Sequence, residues 1–302
     1  MSSDPAADAP YVREEIARQP GAWLRAARLA PDLVGVLPGP GESVAVIGCG
    51  TSWFMAMAYA GLREAAGHGR TDAFAASELP TDRGYDRVVA ISRSGTTTEV
   101  VRAVTSIQAP VLALTAVAGT PVAAASTDTV VLDFADERSV VQTVFATSAL
   151  MLLRASLGES VDAPSAQASE VLAGQHRLDP ALASVEQISF LGRHWAYGVA
   201  QEAALKLREA CRLWTESYPQ MEYRHGPIAI AQPGRAVWVM GDPVPGLVDD
   251  IRRTGALLVD DRLDPVVDLV RAQLLAVDRA QAGGLDPDRP RSLARSVVLA
   301  DS

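Results

Sequence analysis

Ser43-Val44-Ala45-Val46-Ile47-Gly48-Cys49-Gly50-Thr51-Ser52 is the stretch that decides the fold. A short apolar run without polar alternation has both faces buried, so it reads as a strand inside a parallel sheet. Glycine at its end turns the backbone into residues 51–66, which are Ala-rich and read as a helix. A strand that ends in glycine and feeds a helix opens a βαβ unit.

The same rhythm runs outward from this stretch. Residues 9–37 read as an amphipathic helical lead-in. Arg87–Ile91, Pro110–Thr115 and Thr129–Leu132 read as further strands, with a helix from Thr97 to about Ile107 and a long one from about Ser139 to Leu157. Residues 158–168, rich in Ser, Ala, Asp and Pro, read as a linker. Gln187–Gly192 then restarts the pattern as a strand ending in glycine. A helix comes next from about Ala196 to Cys211, then strands at Ala236–Met240 and Gly255–Val259, then a helix at Val267–Ala280. The expected class is α/β, two doubly wound parallel-sheet lobes with flanking helices. The lead-in takes residues 1–37, lobe 1 residues 38–157 and lobe 2 residues 169–302. Lobe 2 is short after residue 260 and lacks a complete set of strands.

Composition narrows the function. The net charge of -9 argues against a general nucleic-acid binder, so an anionic ligand must be met by local donors. Cys49 and Cys211 lie far apart with no metal-ligand spacing and read as reduced thiols of a cytoplasmic protein. The first residues are polar and acidic, without the apolar core of a signal peptide. No apolar run is long enough to span a bilayer. Neither a metal nor a cofactor is expected.

Two loops carry anion chemistry. Gly48-Cys49-Gly50-Thr51-Ser52 and Ser92-Arg93-Ser94-Gly95-Thr96-Thr97-Thr98-Glu99 each join a strand to a helix. Parallel strands deliver such loops to the carboxyl edge of the sheet, where α/β ligands bind. Glycine permits close backbone approach, free N–H groups at the helix start favour an anion, and hydroxyls add donors. The alternative is that the hydroxyls only cap the helices. Trp53 stands where a dinucleotide motif needs its third glycine, and no Walker lysine is present. The expected anion is therefore a single phosphate on a small molecule.

Only one lysine occurs in the chain, Lys206, in Gln201-Glu202-Ala203-Ala204-Leu205-Lys206-Leu207-Arg208-Glu209. The other basic residues are arginine, so a compact ammonium at this place is set apart from its surroundings. Lys206 and Glu209, three apart on a helix, share a face. His225-Gly226-Pro227 comes a short loop later.

Jointly these residues resemble the sugar isomerase (SIS) domain family. Gly-Cys-Gly-Thr-Ser at 48–52 and Ser-Arg-Ser-Gly-Thr-Thr-Thr-Glu at 92–99 look like its phosphate loops. Glu202–Glu209, Glu216-Ser217-Tyr218, Glu222–Pro227 and the tail Asp286–Val297 resemble the isomerase part of glucosamine-6-phosphate synthase. Glu137–Thr143 looks most like stand-alone amino-sugar-phosphate deaminases, and fructosamine-6-phosphate deglycases are similar in size. The resemblance implies that Thr51, Ser52, Ser92, Ser94 and Thr97 hold a sugar 6-phosphate. It implies Glu209 as the base between C1 and C2, Lys206 beside the sugar hydroxyls or the enolate, and His225 as the ring opener, supplied by the partner in a homodimer with shared sites. Val140 and Gln142 would line the sugar chain, and Arg295 would clamp a hydroxyl or carboxylate. The synthases carry a tail lysine where this chain has Arg295, and a guanidinium stays protonated and cannot form an imine with a keto sugar. Arg93 also departs from the family pattern and is expected to add charge to the phosphate site.

The resemblance implies three functions. One is an enzyme acting on an amino-sugar or fructosamine 6-phosphate by isomerisation and deamination. A second is an aminotransferase drawing ammonia from a separate glutaminase. The third is a non-catalytic sugar-phosphate sensor, for which Lys206, Glu209 and His225 together have no use.

Overall fold

The computed structural model describes residues 10–80 and 82–299. The first residues, on which the signal-peptide expectation rests, lie outside the described residues, as does the start of the lead-in. From residue 10 the lead-in is a helix, α1 (Tyr11–Ala27), followed by a 3-10 turn at Ala30–Leu33. Val12, Ile16, Trp23 and Ala26 are its buried face, and it packs on the later helix α5.

Lobe 1 is a five-stranded parallel sheet. Its elements are β1 (Val44–Gly48), α2 (Thr51–Ala65), β2 (Thr71–Ala75), β3 (Arg87–Ile91), α3 (Thr98–Ser106), β4 (Val111–Thr115), the short α4 (Pro121–Ala124), β5 (Asp128–Val131) and α5 (Val144–Ser156). The strand order is β2-β1-β3-β4-β5. β1 and β4 are buried throughout, as unbroken apolar runs require. After α6 (Asp162–Leu172), lobe 2 repeats the pattern with β6 (Gln187–Gly192), α7 (Ala196–Cys211), β7 (Trp214–Pro219), β8 (Arg235–Val239), α8 (Leu247–Thr254), β9 (Leu257–Val259) and α9 (Pro265–Ala282). Its four strands run in the order β7-β6-β8-β9, all parallel. In both lobes the order reverses at the first strand, so the crevice for a ligand opens beside the carboxyl ends of β1 and β3 in one and of β6 and β8 in the other.

The glycine that ends each first strand has the same physical cause. A Cβ on Gly48 would lie 2.6 Å from the main-chain carbon of Ser52, and one on Gly192 would lie 2.3 Å from the carbonyl oxygen of Ala196. The first turn of each adjoining helix is pressed onto the strand end, and no side chain fits between.

Four expectations need correction. Residues 158–168 are not an open linker: most of them belong to α6, whose Ala168 and Val171 are buried. The small residues that suggest flexibility in sequence let the helix pack close to α1 and α9. The helix expected from Ser139 begins at Val144, because buried Glu137 turns back to accept from the N–H groups of Thr143 and Val144. β2 and β7 are strands that the sequence pattern does not reveal; each pairs on one side only, and their polar residues hide the pattern. α8, with two acidic and two basic residues in eight, is likewise a helix beyond those expected.

The lobes meet where α2 crosses α7. Gly198 makes the crossing close: a Cβ there would stand 2.6 Å from the Phe54 carbonyl oxygen and 2.7 Å from the Ala58 nitrogen. Gly198→Ala is therefore expected to lower unfolding stability by about 1–3 kcal/mol, the usual range for overpacking. Chemical denaturation measures it, and an unchanged midpoint would show that the helices separate freely.

Candidate active site

The two hydroxyl-rich loops meet at the lobe 1 crevice. Cys49, Ser52, Ser92, Ser94, Thr97, Gln142 and Arg295 border one small polar cavity of about 20 Å³. That is room for about one water-sized group, so a larger ligand must displace side chains or the tail that covers it. The hydroxyls do not cap the helices. α2 has Gly50 at its N-cap with no side-chain bond, and Thr97, the N-cap of α3, makes none either. The Ser92 and Ser94 oxygens instead brace the loop, accepting from the N–H groups of Gly95 and Thr96. The helix-cap alternative thus fails on geometry, and donors are left facing the cavity. Gln142 adds its amide, whose Oε1 is buried without a donor among the described residues.

Arg93 also borders this cavity, and its guanidinium is buried. It lies 3.7 Å from the carboxylate of Glu137 and donates to the carbonyls of Ser139, Val140 and Arg295 at 3.0–3.2 Å. Burial lowers its pKa, and Glu137 opposes that. Arg93 therefore fastens the loop 137–142 and the C-terminal tail to the loop 92–99. The tail closes the site along its length. The Asp288 carboxylate accepts from the N–H groups of Tyr11 and Val12, both at 2.8 Å, capping α1. The Asp288 carbonyl takes the N–H of Val140. Arg295 pairs with Asp136 and donates to the Glu137 carbonyl, so its guanidinium anchors the tail. The Ser296 hydroxyl meets those of Ser94, Thr96 and Thr97 at 3.0–3.3 Å.

On the other lobe, α7 turns Glu202, Lys206 and Glu209 toward α2. Lys206 is fully buried. Its Nζ donates to the Thr51 hydroxyl at 3.0 Å and lies 3.2 Å from Glu202 and 2.6 Å from Glu209. Thr51 in turn donates to Glu202 at 3.2 Å. Two carboxylates share one ammonium, and they are not equivalent. Glu202 has no solvent, and its pKa is pushed up to about 7 by burial, with Lys206 opposing and Glu209 adding to the rise. The Lys206 pKa is raised by its two carboxylates despite burial. Glu209, partly exposed, pairs with Lys206 and not with Arg208 or Arg212. The sequence pattern assigns Glu202 no role. Its spacing four before Lys206 is the signal that could have found it.

Thr51 joins the two halves: it touches Lys206, and its neighbour Ser52 lines the hydroxyl-rich cavity. Val140 is half-buried on the loop that Arg93 holds. His225 is not brought in by its own chain. It sits exposed on the 3-10 turn Glu222–His225 and makes no hydrogen bond to the α7 residues. A separate groove of about 810 Å³ between α6 and α9 contains none of these residues.

Glu202 makes the site sensitive to pH. Its folded pKa lies above the ordinary 4.5, so the native state holds the proton more tightly than the unfolded chain. The stability it adds is full below about 4.5 and is lost as pH rises through about 7. The melting temperature is expected to fall between pH 5.5 and 8, and Glu202→Gln to flatten part of that fall. A variant with the parent's full pH slope would remove Glu202 as a titrating group.

Comparison with known proteins adds to this geometry. No family model matches the chain. Glutamine--fructose-6-phosphate aminotransferase [isomerizing] of Methanothermobacter thermautotrophicus is 28% identical over 96% of this chain and 57% of its own length. The Thermosynechococcus vestitus protein of the same name is 34% identical over 44% of this chain and 27% of its own. The chain thus spans little more than half of these relatives at most. Glucosamine-6-phosphate deaminase of Thermotoga maritima superposes with a TM-score of 0.78 at 26% identity, covering 96% of this chain and all of that one. Tagatose-6-phosphate ketose/aldose isomerase of Escherichia coli shares the fold, with a TM-score of 0.79 at 19% identity over 99% of this chain and all of its own. In its two parallel-sheet lobes and its hydroxyl-rich loops the chain is similar to the isomerase part of the aminotransferases and to the stand-alone deaminase, consistent with a SIS-domain protein.

Proposed function

We propose that the protein is an enzyme, a sugar-phosphate isomerase or deaminase acting on an amino-sugar 6-phosphate or a fructosamine 6-phosphate. One observation carries the reading: Thr51 and its neighbour Ser52 link a preformed hydroxyl cavity to a buried lysine paired with a partly exposed glutamate. The phosphate takes the cavity. The sugar chain passes Val140 and Gln142, and its C1–C2 end meets Glu209. Glu209 is the base that moves the carbon-bound proton between C1 and C2, and Lys206 stabilises the charge on the enolate oxygen. When the carbon that loses its proton carries the amine, the shift makes an imine; water adds to it and the C–N bond breaks, releasing ammonia or the amine. Thr51 and Glu202 hold Lys206 in place. His225 opens the sugar ring from the neighbouring subunit of a homodimer, which accounts for its exposed position in one chain. Cytoplasmic residence belongs to the same reading, with both thiols free.

An aminotransferase served by a separate glutaminase is the second reading. Arg295 weighs against it: the side chain at the synthases' lysine position is a guanidinium bound to Asp136 and Glu137, with no amine to attack a keto group. A sensor would leave the Lys206 cluster idle.

Ammonia release from a panel of hexosamine 6-phosphates tests the activity. Ser92→Ala with Thr97→Ala is expected to weaken binding of the phosphorylated sugar by about 1.5–3 kcal/mol per lost bond to a charged oxygen. The plain sugar should bind poorly to either protein. Equal binding of phosphorylated and plain sugars would end the phosphate assignment. Glu209→Gln is expected to reduce turnover at least ~100-fold with ligand affinity nearly intact. Lys206→Arg is expected to be harmful too, since a planar fork does not fit the space of a compact ammonium between two carboxylates. Exchange of the C2 proton with deuterated water tracks the step; undiminished exchange in Glu209→Gln would remove it as the base.

A further inference from the structure

The groove of about 810 Å³ between α6 and α9 lies apart from the hydroxyl cavity and from the Lys206 cluster. Leu274 and Leu275 of α9, Leu178, and Leu285 just beyond α9 give it an apolar lining. Leu275 is buried in the main core, while the other three are half-buried, so apolar surface that the fold does not cover remains on the wall. Charge in the groove is one-sided. Among the described residues, Arg177 donates to the Gly174 carbonyl at 3.1 Å, and Arg279 donates to the carbonyls of Leu182 at 2.7 Å and Val185 at 3.0 Å. Neutral carbonyls hold a guanidinium without cancelling its charge. The two acids of the groove have other partners: Asp278 pairs with Arg13, and Asp179 accepts from the Ala181 N–H. Deeper in the wall, Arg271 is only 2% exposed and is paired with Asp261 and Asp268. Its Nε–H has no acceptor among the described residues, and a buried donor without an acceptor is costly.

We propose that this groove binds a small amphipathic anion, a flat apolar body lying on the leucines with one anionic head met by Arg177 and Arg279. The volume is in the range of small-ligand pockets. Each half of the lining excludes a simpler occupant. A purely apolar molecule leaves the two guanidinium groups without an anion, and a bare anion such as inorganic phosphate leaves the leucines in water. The chain's net charge of -9 does not draw anions from a distance, so the preference arises from these local groups. Cys211, the last residue of α7, is part of the wall, and its thiol is free. The occupant therefore lies against the end of the helix that carries Lys206 and Glu209.

Anilinonaphthalene sulfonate has the required form, and N-phenylnaphthylamine is the same body without the sulfonate. Both are titrated by fluorescence on the unaltered protein, Arg177→Ala and Ala183→Trp. The sulfonate is expected to saturate one site per chain and to bind at least about tenfold more tightly than the neutral compound. Arg177→Ala should lower that ratio toward one. Ala183 is an exposed residue of the groove wall, and a tryptophan there should fill the groove and abolish binding of both compounds. The two cysteines locate the probe, because Cys211 lines this groove and Cys49 the hydroxyl cavity. At saturation the sulfonate is expected to slow alkylation of Cys211 by iodoacetamide several-fold, with Cys49 unaffected. Equal affinities of the two compounds for the unaltered protein would overturn the proposal, as would protection of both cysteines or of neither. So would an Ala183→Trp protein that binds the probes as before, or that differs only in melting temperature or state of assembly, since the groove would then serve the fold or a contact between copies.

Discussion

A buried ammonium between two carboxylates is the constraint on which the rest of the site depends. Lys206 has no access to water, and removing a charge from water costs several kcal/mol unless partners replace the lost solvation. Here the partners come from both lobes: Glu202 and Glu209 from its own helix, Thr51 from the facing loop. The ammonium gains its third partner, Thr51, only when α2 and α7 are in contact. The close crossing at Gly198 brings them together, and the Thr51 hydroxyl, accepting from Lys206 while donating to Glu202, fixes the register. Packing and electrostatics therefore specify one arrangement of the lobes. With two carboxylates on one cation, the fully buried Glu202 is driven toward its neutral form, while Glu209 holds the same ammonium from the open side.

A second set of buried charges holds the opposite wall. Glu15, Glu137 and Arg93 all lie in the interior, and their partners are mainly main-chain groups of the loop 137–144 and the tail. Main-chain groups without regular structure need such partners when buried. The irregular backbone beside the cavity can be dry because these side chains replace water. The position of Arg295 has the same logic. At a place where lysine would present an amine, arginine reaches Asp136 and Glu137 with several donors at once and becomes part of the wall.

Much of this is legible in the sequence, and the limits have physical causes. β1 and β4 are almost wholly apolar, β3 and β6 mainly so, and their expected bounds agree with the structure within a residue or two. β2 and β7 are edge strands with polar faces, for which neither alternation nor burial leaves a clear mark. α6 looks like a linker because small residues signal both flexibility and close packing; only its neighbours distinguish the two. The loop hydroxyls do meet at one place, since their position after parallel strands fixes that. Arg93 borders that cavity as its place in the loop suggests, but the partners of its guanidinium, carbonyls 46 to 202 positions away, leave no mark in the sequence. Glu202 is hidden for a related reason: its importance is burial, and burial on a helix flanked by alanines cannot be read from spacing alone.

The internal repeat explains why the site lies between the lobes and not within one. Both lobes keep the strand, the terminal glycine and the helix pressed onto it. They differ in the residues just beyond that glycine. After Gly48 come Cys49, Gly50 and Thr51; after Gly192 come Arg193, His194 and Trp195, too bulky to form a tight hydroxyl-lined turn. One copy retains the loop that approaches an anion, while the other has its chemistry on the body of the helix, at positions 202, 206 and 209. Because α2 and α7 are the equivalent helices of the two copies and pack on each other, the anion loop of one faces the charged helix of the other. On the proposed reading, a ligand held by its phosphate in lobe 1 extends along that contact. The tail, running from Arg291 beside Glu209 to Ser296 on the hydroxyl loop, takes the same line and covers it.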